Sequence, residues 1–242
     1  MREKEIYLFS LIEEEHFFYR ARRELVKYWL KKLLPPYEPK PLVIDVGTGT
    51  GILLEELGDD YELVGCDRFF HPEISYSPLK LIKADARCLP FSDGIAQAVI
   101  ALDLLEHLEK DKEGLAELSR ILCPGGYLFL NLPAFSFLWS DWDQAVGHRR
   151  RYRKSHLVSM IRELDLEIVF LNYVNSLGFF PILFYRKLRT WLRRRKHRLE
   201  DRLLPKWLNQ IFFRAFVFQG KYSWLKIPFG VSIFAVLRKP GN

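Results

Sequence analysis

The stretch VIDVGTGTGILLEEL, residues 43–57, limits the fold of this chain more than any other. An apolar run short enough to be a buried strand delivers Gly47, Gly49 and Gly51 to a turn, and the residues beyond it have helical texture. Glycines at such a turn let backbone approach a ligand closely and leave helix-start amides free to donate. A glycine-rich strand-to-helix turn is weak testimony by itself, so the acids around it carry the argument. Asp45 lies just ahead of the first glycine, and Asp67, Asp85 and Asp103 close or nearly close the apolar runs YELVGCD, LKLIKADA and IAQAVIALD. Each acid falls where a strand's carboxyl end would meet the crevice in which doubly wound sheets bind ligands.

Helical stretches at 50–58 and 110–122 separate these runs, and YLFLNLP (127–133) follows a CPGG turn. SHLVSMIRELDL then reads as a helix with Ser155 as its cap, ahead of EIVFLNYV (167–174) and, much later, GVSIFAVLRKP (230–240). Strands alternating with helices predict an α/β fold with a parallel, doubly wound sheet. Residues 5–34 contain no proline or glycine and space their apolar residues by three and four, predicting one amphipathic helix or two, stopped by Pro35 and Pro36. The chain thus divides into an N-terminal helical cap, 1–40, and a domain, 41–242, that carries a basic helical insert at 176–225.

With 242 residues and 49% hydrophobic content the chain can bury a substantial core. Its net charge of +7 is concentrated: residues 186–206 carry ten Lys or Arg against Glu200 and Asp201, and GHRRRYRKSHL (147–157) carries five more without an acid. The rest is acidic, so the basic balance describes two segments, not a whole surface. No recognisable RNA-binding module accompanies them, and a nucleic-acid partner is not expected. The leucines and Trp191 among the arginines of 186–206 suit a helix lying on an anionic membrane, and equally a helix packed on the domain with a solvated outer face. The longest apolar stretch, near SLGFFPILFY, falls short of the roughly 20 residues a spanning helix needs. The N-terminus is interrupted by charges and does not read as a secretory signal. Cys66, Cys88 and Cys123 form neither a CxxC pair nor a disulfide framework. A cytoplasmic location, open to peripheral membrane contact, is the expectation, and no metal is expected.

VIDVGTGTG, GCD, IKADARCLPF, VIALDLLEHL and LSRILCPGGYLFLNLP together resemble the successive motifs of class I S-adenosylmethionine-dependent methyltransferases, specifically the ubiquinone-methyltransferase-like, type 11 group. The resemblance covers residues 41 to about 175, and is weaker in EEEHFFYRARREL and PFGVSIFAVLRKP. It implies a Rossmann-like, mostly parallel seven-stranded sheet with an antiparallel last strand, and S-adenosyl-L-methionine as cofactor. It also implies that Gly47, Thr48, Gly49 and Gly51 line the cofactor's methionine portion, with Asp45 at its amino group. Asp67 would accept both ribose hydroxyls, with Arg68 beside it in the same wall. Asp85 and Ala86 would meet the adenine, and Leu102 and Asp103 would flank the sulfonium. A dinucleotide is the rival cofactor, since Asp67 also stands 20 residues after Gly47. Against it, GTGTG is not GxGxxG, and a pyrophosphate gains nothing from Asp45.

On the acceptor side, His107 in LLEHLEKD sits just past Asp103, as a catalytic group or as a histidine satisfied by its neighbours. The loop FSFLWSDWDQAVGH brings Trp139, Asp141, Trp142 and Asp143 over the same crevice, or packs as an aromatic loop. Many relatives carry a similar run where GHRRRYRKSHL stands, which suggests His148 as a base, Arg149 and Arg150 as anion clamps and Tyr152 as an orienting group, with Asp141 a weaker base, or else a run whose arginines bridge Asp141, Asp143 and solvent. Arg20, Arg22 and Arg23 either cap the pocket or face water. The leading expectation is methyl transfer to a small-molecule or lipid-linked acceptor by in-line displacement. The alternatives are the same cofactor with an RNA or protein acceptor, and a cofactor-binding regulatory protein without catalysis.

Overall fold

Successive strand residues alternate between two faces of one sheet, and each face is covered by its own helices. The computed structural model describes residues 12–69, 79–191, 204–222 and 224–241. Its elements are α1 (Phe17–Leu33), β1 (Leu42–Val46), α2 (Ile52–Leu57), β2 (Glu62–Asp67), β3 (Lys80–Lys83), β4 (Ala96–Leu102), α3 (Asp111–Ile121) and β5 (Leu122–Pro133). They continue with α4 (Asp141–Ala145), α5 (Lys154–Arg162), β6 (Glu167–Val174), α6 (Ser176–Trp191), α7 (Lys206–Lys221) and β7 (Ser232–Arg238). The seven strands run in the order β3-β2-β1-β4-β5-β7-β6, and β7 pairs antiparallel with both β5 and β6 while the remaining pairs are parallel. This is the mostly parallel, doubly wound sheet with an antiparallel last strand that the motifs implied.

Ile44, Val99, Ala101, Leu128, Leu130, Ile233 and Ala235 point to one side, where Leu115, Leu118 and Ile121 of α3 and Leu157, Met160 and Ile161 of α5 meet them. Val43, Ala98, Ile100, Phe129, Phe234 and Val236 point to the other, against Ala21, Leu25, Val26, Trp29 and Leu30 of α1, Leu53 and Leu57 of α2 and Phe216 and Val217 of α7. A buried aliphatic or aromatic side chain of this kind stabilises by about 1.5–3 kcal/mol, and a strand buried on both faces collects that from every residue.

The N-terminal helical segment and the insert share that second face. Gly220 of α7 is where they touch: a Cβ there would stand 2.2 Å from Leu25 Cδ1, and the Trp29 indole donates to the Gly220 carbonyl at 2.8 Å. Asn209 joins them again, accepting from Phe17 N at 2.8 Å and donating to the Glu15 carbonyl at 2.9 Å. The segment before Phe17 is helical up to His16, which breaks it and caps α1 by accepting from Phe18 N at 3.2 Å. Of the basic stretch 186–206, residues 192–203 lie outside the described residues, as do residues 1–11.

Three boundaries differ from the sequence expectation. The CPGG turn lies inside β5, where pairing shifts register between Ala96 and Ala98 and Gly125 takes φ +81°, so the turn becomes an irregularity of a longer strand. Strand β3 ends at Lys83, because Asp85 turns back to bridge Cys88. Helix α5 begins at Lys154, with Arg153 as the extended residue before it, so Ser155 is inside the helix and not its cap.

Candidate active site

The carboxyl ends of β1 and β4 open onto a cavity of about 1110 Å³. That lies just above the roughly 300–1,000 Å³ of an ordinary small-molecule pocket. Asp45, Gly47, Thr48 and Gly49 line it at the end of β1, and Leu102, Asp103 and His107 at the end of β4. The opposite wall is largely apolar: Phe17 and Phe18 of α1, Trp142 and Val146 around α4, Pro181 and Ile182 of α6, and Phe212 of α7.

Gly47, Gly49 and Gly51 all adopt left-handed φ, between +56° and +81°, which L side chains resist. At Gly47 a Cβ would also press within 3.1 Å of Leu104 Cδ1. The turn is tied to β2, since the amides of Gly47 and Thr48 both donate to the Cys66 carbonyl, at 2.7 and 3.2 Å. Gly49 N donates to Asp67 Oδ2 at 3.1 Å and Phe69 N to Oδ1 at 3.0 Å, leaving each carboxylate oxygen a further lone pair. Asp45 is 4% exposed, and that burial pushes its carboxyl up to about 7. The Thr48 hydroxyl, buried in the same wall, faces the Asp45 carboxyl and draws its pKa partly back down.

Asp103 sits at φ +51°, an unusual backbone state for a residue with a Cβ. Three contacts hold it there: its amide donates to the Asn131 carbonyl at 2.9 Å, its Oδ1 accepts from Asn131 Nδ2 at 2.6 Å, and its Oδ2 pairs with Arg22. Arg22 also reaches Glu13 at 3.5 Å and lies over the Tyr19 ring. Burial pulls the Arg22 guanidinium down, but Asp103 and Glu13 outweigh it and its pKa rises. Glu13 in turn accepts from the Thr50 hydroxyl at 2.6 Å, and its carbonyl accepts from Arg23 at 2.7 Å. The N-terminal segment is thereby fastened across the glycine turn. Both Arg22 and Arg23 face inward, whereas Arg20 lies over the Phe213 ring.

GHRRRYRKSHL splits into two sets of contacts. His148 and Arg151 line the cavity and share Asp143, which is fully buried: His148 Nδ1 stands 2.9 Å from Asp143 Oδ1 and Arg151 Nε donates to the same oxygen at 2.8 Å. Burial alone would raise the Asp143 carboxyl, yet His148 and Arg151 hold it at about 2. Arg150 and Tyr152 turn the other way, to Asp111 at the start of α3: Arg150 NH1 lies 2.6 Å from Oδ1, and the Tyr152 hydroxyl donates to Oδ2 at 2.9 Å. Arg150 also donates to the carbonyls of Leu108 and Glu109. Neither Arg150, Tyr152 nor the exposed Asp141 lines the cavity, so the structure moves these three expected acceptor-side groups out of it. The physical reason is the pairing of Tyr152 with Ala134 beside β5, which fixes which residues of the run point inward. Arg149 is exposed, its amide donating to the Glu106 carbonyl.

Asp67, Arg68, Gly51, Asp85 and Ala86 also lie outside the cavity lining. The Asp85 carboxylate is held by Arg87, whose Nε and NH2 donate at 2.9 and 2.7 Å and keep its pKa down at about 2. Ala86 is buried in the core, and Arg68 lies over the exposed Phe69 ring. Residues 70–78, which follow, are outside the described residues. Sequence reasoning passed over Glu13, Asn131, Asp143 as a buried hub, Arg151 and Arg186. The signal for Glu13 and Arg22 was present in EEEHFFYRARRE, where an acid and a base nine residues apart flank the aromatic run.

A doubly wound sheet with a glycine turn and acids at its carboxyl edge defines a nucleotide-type cofactor fold. A methyltransferase-domain family model matches residues 18–171, and the chain belongs to that family, among the class I S-adenosylmethionine-dependent methyltransferases of the type 11 group. It is 33% identical over 121 residues to a demethylmenaquinone methyltransferase of Thermus thermophilus, a match covering 45% of this chain and 52% of the relative. The chain spans about half the length of the curated relatives it matches. Among solved structures, a complex between the Haloferax volcanii Trm112 methyltransferase activator and a methyltransferase is similar at TM-score 0.61 and 18% identity, covering 96% of this chain and 93% of that one. A geranyl diphosphate methyltransferase in complex with S-adenosylmethionine is similar at TM-score 0.55 and 14% identity, over 88% of this chain and 84% of that one. These likenesses establish the shared fold.

The residues present suit the cofactor this family implies. A buried carboxyl whose pKa is pushed up by burial gains from a bound ammonium group. Asp45 offers this at one end of the cavity, beside Thr48 and glycines that admit close approach.

Proposed function

We propose that the chain moves the methyl group of S-adenosylmethionine to an apolar small-molecule or lipid-linked acceptor. One observation carries the reading: the polar glycine turn and the aromatic and aliphatic wall of α1, α4, α6 and α7 belong to a single cavity. The names of the curated relatives, which describe methylation of demethylmenaquinone, support an acceptor of that apolar kind.

Asp45, Thr48, Gly47 and Gly49 would hold the amino-acid end of the donor, Asp67 the ribose, and Leu102 and Asp103 the region of the sulfur. Bound there, the cofactor supplies a methyl group on a positively charged sulfur that leaves as a neutral thioether. The chain's contribution is then orientation and exclusion of water, where positioning alone is worth up to ~7–11 kcal/mol of barrier. Burial, then His148, lower the His107 pKa, which favours the neutral imidazole at the cavity wall. Arg151 and Arg186 line the same side, both paired with the buried Asp143 carboxylate.

The exposed surface of α6 supports a lipid-linked acceptor in particular. Leu177, Phe180, Phe184 and Leu188 recur at three- and four-residue spacing and are all exposed, while Pro181, Ile182 and Tyr185 of the same helix line the cavity. Trp207, Ile211 and Phe218 of α7 and Trp224 extend the exposed apolar area, beside a segment whose sequence is strongly basic. An amphipathic face with basic neighbours suits an anionic bilayer. No helix among the described residues is long and apolar enough to cross a membrane.

Incubation with labelled cofactor and separated lipid, metabolite, RNA and protein pools tests the acceptor, with label expected in the lipid or metabolite fractions; label confined to RNA or protein overturns it. Calorimetry that detects no S-adenosylmethionine binding rejects the whole reading, and binding without transfer to any pool points to a regulatory role. Sedimentation with phosphatidylglycerol vesicles should retain the chain and release a Phe180→Ser/Phe184→Ser variant. Equal retention of the two, or none of either, rejects the membrane face.

A further inference from the structure

Glu106 is fully buried, and neither of its carboxylate oxygens has a hydrogen-bond partner. Leaving a buried acceptor unpaired costs about 1–3 kcal/mol, so a carboxyl group kept in such a place points to a missing partner. Two imidazoles stand beside it. His148 Nε2 lies 3.8 Å from Glu106 Oε1, and the His107 ring meets the His148 ring edge-on with centroids 4.8 Å apart. One ligand atom from each of the three residues lies within 4.8 Å of the other two.

One ring already has its second nitrogen committed: His148 Nδ1 faces Asp143 Oδ1 at 2.9 Å, while His107 Nδ1 lies on the Gly147 side. A ring nitrogen bound to a carboxylate or carbonyl while the other is left free is how proteins orient metal-ligating histidines. We propose that Glu106, His107 and His148 form a binding site for a divalent first-row transition-metal ion such as zinc, with its open coordination position toward the cavity. Two imidazoles and one carboxylate suit such an ion better than magnesium or calcium, which take oxygen ligands. Three protein ligands with a fourth position free is the pattern of a site that also binds a substrate. Ligand atoms about 2.0–2.1 Å from a tetrahedral ion lie about 3.4 Å apart, so the cluster closes by rotating side chains and not by refolding.

Resting on the methyl-transfer reading above, the ion would receive an oxygen of the acceptor, since His107 and His148 line the acceptor side of the cavity. That narrows the acceptor to a molecule bearing a hydroxyl or enol oxygen.

The test uses the full chain stripped of metal and titrated with Co²⁺, following visible d–d absorption, with S-adenosylmethionine calorimetry run separately on the same protein. One equivalent of cobalt should give intense low-coordination bands that zinc abolishes. Glu106→Gln and His107→Gln, checked for folding by circular dichroism, should each weaken cobalt binding by at least about 100-fold, more than loss of an outer hydrogen bond to a ligand costs. Absence of bands in the wild type, or undiminished affinity in both folded variants, overturns the site. Cobalt bands in a chain that binds no S-adenosylmethionine would uphold the site and reject the methyl-transfer reading, whereas cofactor binding without bands does the reverse.

Discussion

Asn131 donates its side-chain amide to Asp103 across 2.6 Å, and this bond links neighbouring strands β4 and β5 at the edge of the cavity. Asp103 is held at positive φ by that amide, by the Asn131 carbonyl and by Arg22. Such backbone strain costs about 1–3 kcal/mol and persists only where its surroundings impose it. Asn131→Ala should therefore lower stability by about 1–3 kcal/mol and weaken cofactor binding as Asp103 relaxes. Denaturant unfolding and calorimetry together check this, and wild-type values in both would show that Asp103 needs no such support.

Asp67 should be the largest single contributor to the ribose end of the site. Removing its carboxylate in Asp67→Ala deletes an acceptor worth about 1.5–3 kcal/mol for a charged hydrogen bond, so S-adenosylmethionine affinity should fall about 10- to 100-fold. Unchanged affinity in a folded variant would move the ribose elsewhere.

Two buried groups set opposite pH trends in stability. Asp45 is raised from 3.8 to about 7 by burial, so between those values the folded chain keeps a proton that the unfolded chain has released, and stability falls as pH rises. His16 is lowered from 6.5 to about 4 by burial, so between those values only the unfolded chain binds the proton, and stability rises with pH. Asp45→Asn should gain on the wild type by up to roughly 4 kcal/mol from pH 4 to 7, with most of the gain complete by pH 7. Urea melts across that range test it, and a constant difference between the two proteins would place the Asp45 pKa near its ordinary value.

Arg150 and Arg151 are neighbours with different duties. Tyr152→Phe or Arg150→Ala removes a partner of Asp111 and should cost about 1–3 kcal/mol of stability, with S-adenosylmethionine affinity unchanged. A selective loss of methyl transfer in Arg150→Ala, at full stability, would return Arg150 to the acceptor side.

Gly220→Ala should cost about 1–3 kcal/mol by overpacking, since its methyl group would stand 2.2 Å from Leu25 Cδ1. Leu25→Ala in the same chain should recover part of that loss by making room. Additive losses, measured by thermal melting, would mean that the two helices do not meet there.

The strands and the glycine turn were legible because both rest on local signals: short apolar runs, glycines at a strand-to-helix turn, and acids at strand ends; the antiparallel last strand came from the family resemblance alone. The inward set of GHRRRYRKSHL was not, because Tyr152 pairs with Ala134 and Arg149 with Glu106, contacts made across distant parts of the sequence. The same limit hid Glu106. In LLEHLEKD its neighbour His107 drew the functional reading, and nothing local says that the carboxylate turns into the core. The expectation of no metal rested on spacing alone, whereas His107 and His148 become neighbours only through the fold.

The seam at Gly220 also bears on how such a chain can change its diet. The sheet edge that bears the glycine turn is assembled from β1 to β5, while much of the apolar wall comes from α1 and from the helices inserted before β7, laced together through Trp29, Phe17 and Asn209. Replacements confined to those outer helices can reshape the room for an acceptor and leave the glycine turn untouched. They must come in matched pairs, because whatever is altered at one end of the chain is felt at once by its counterpart nearly two hundred residues away.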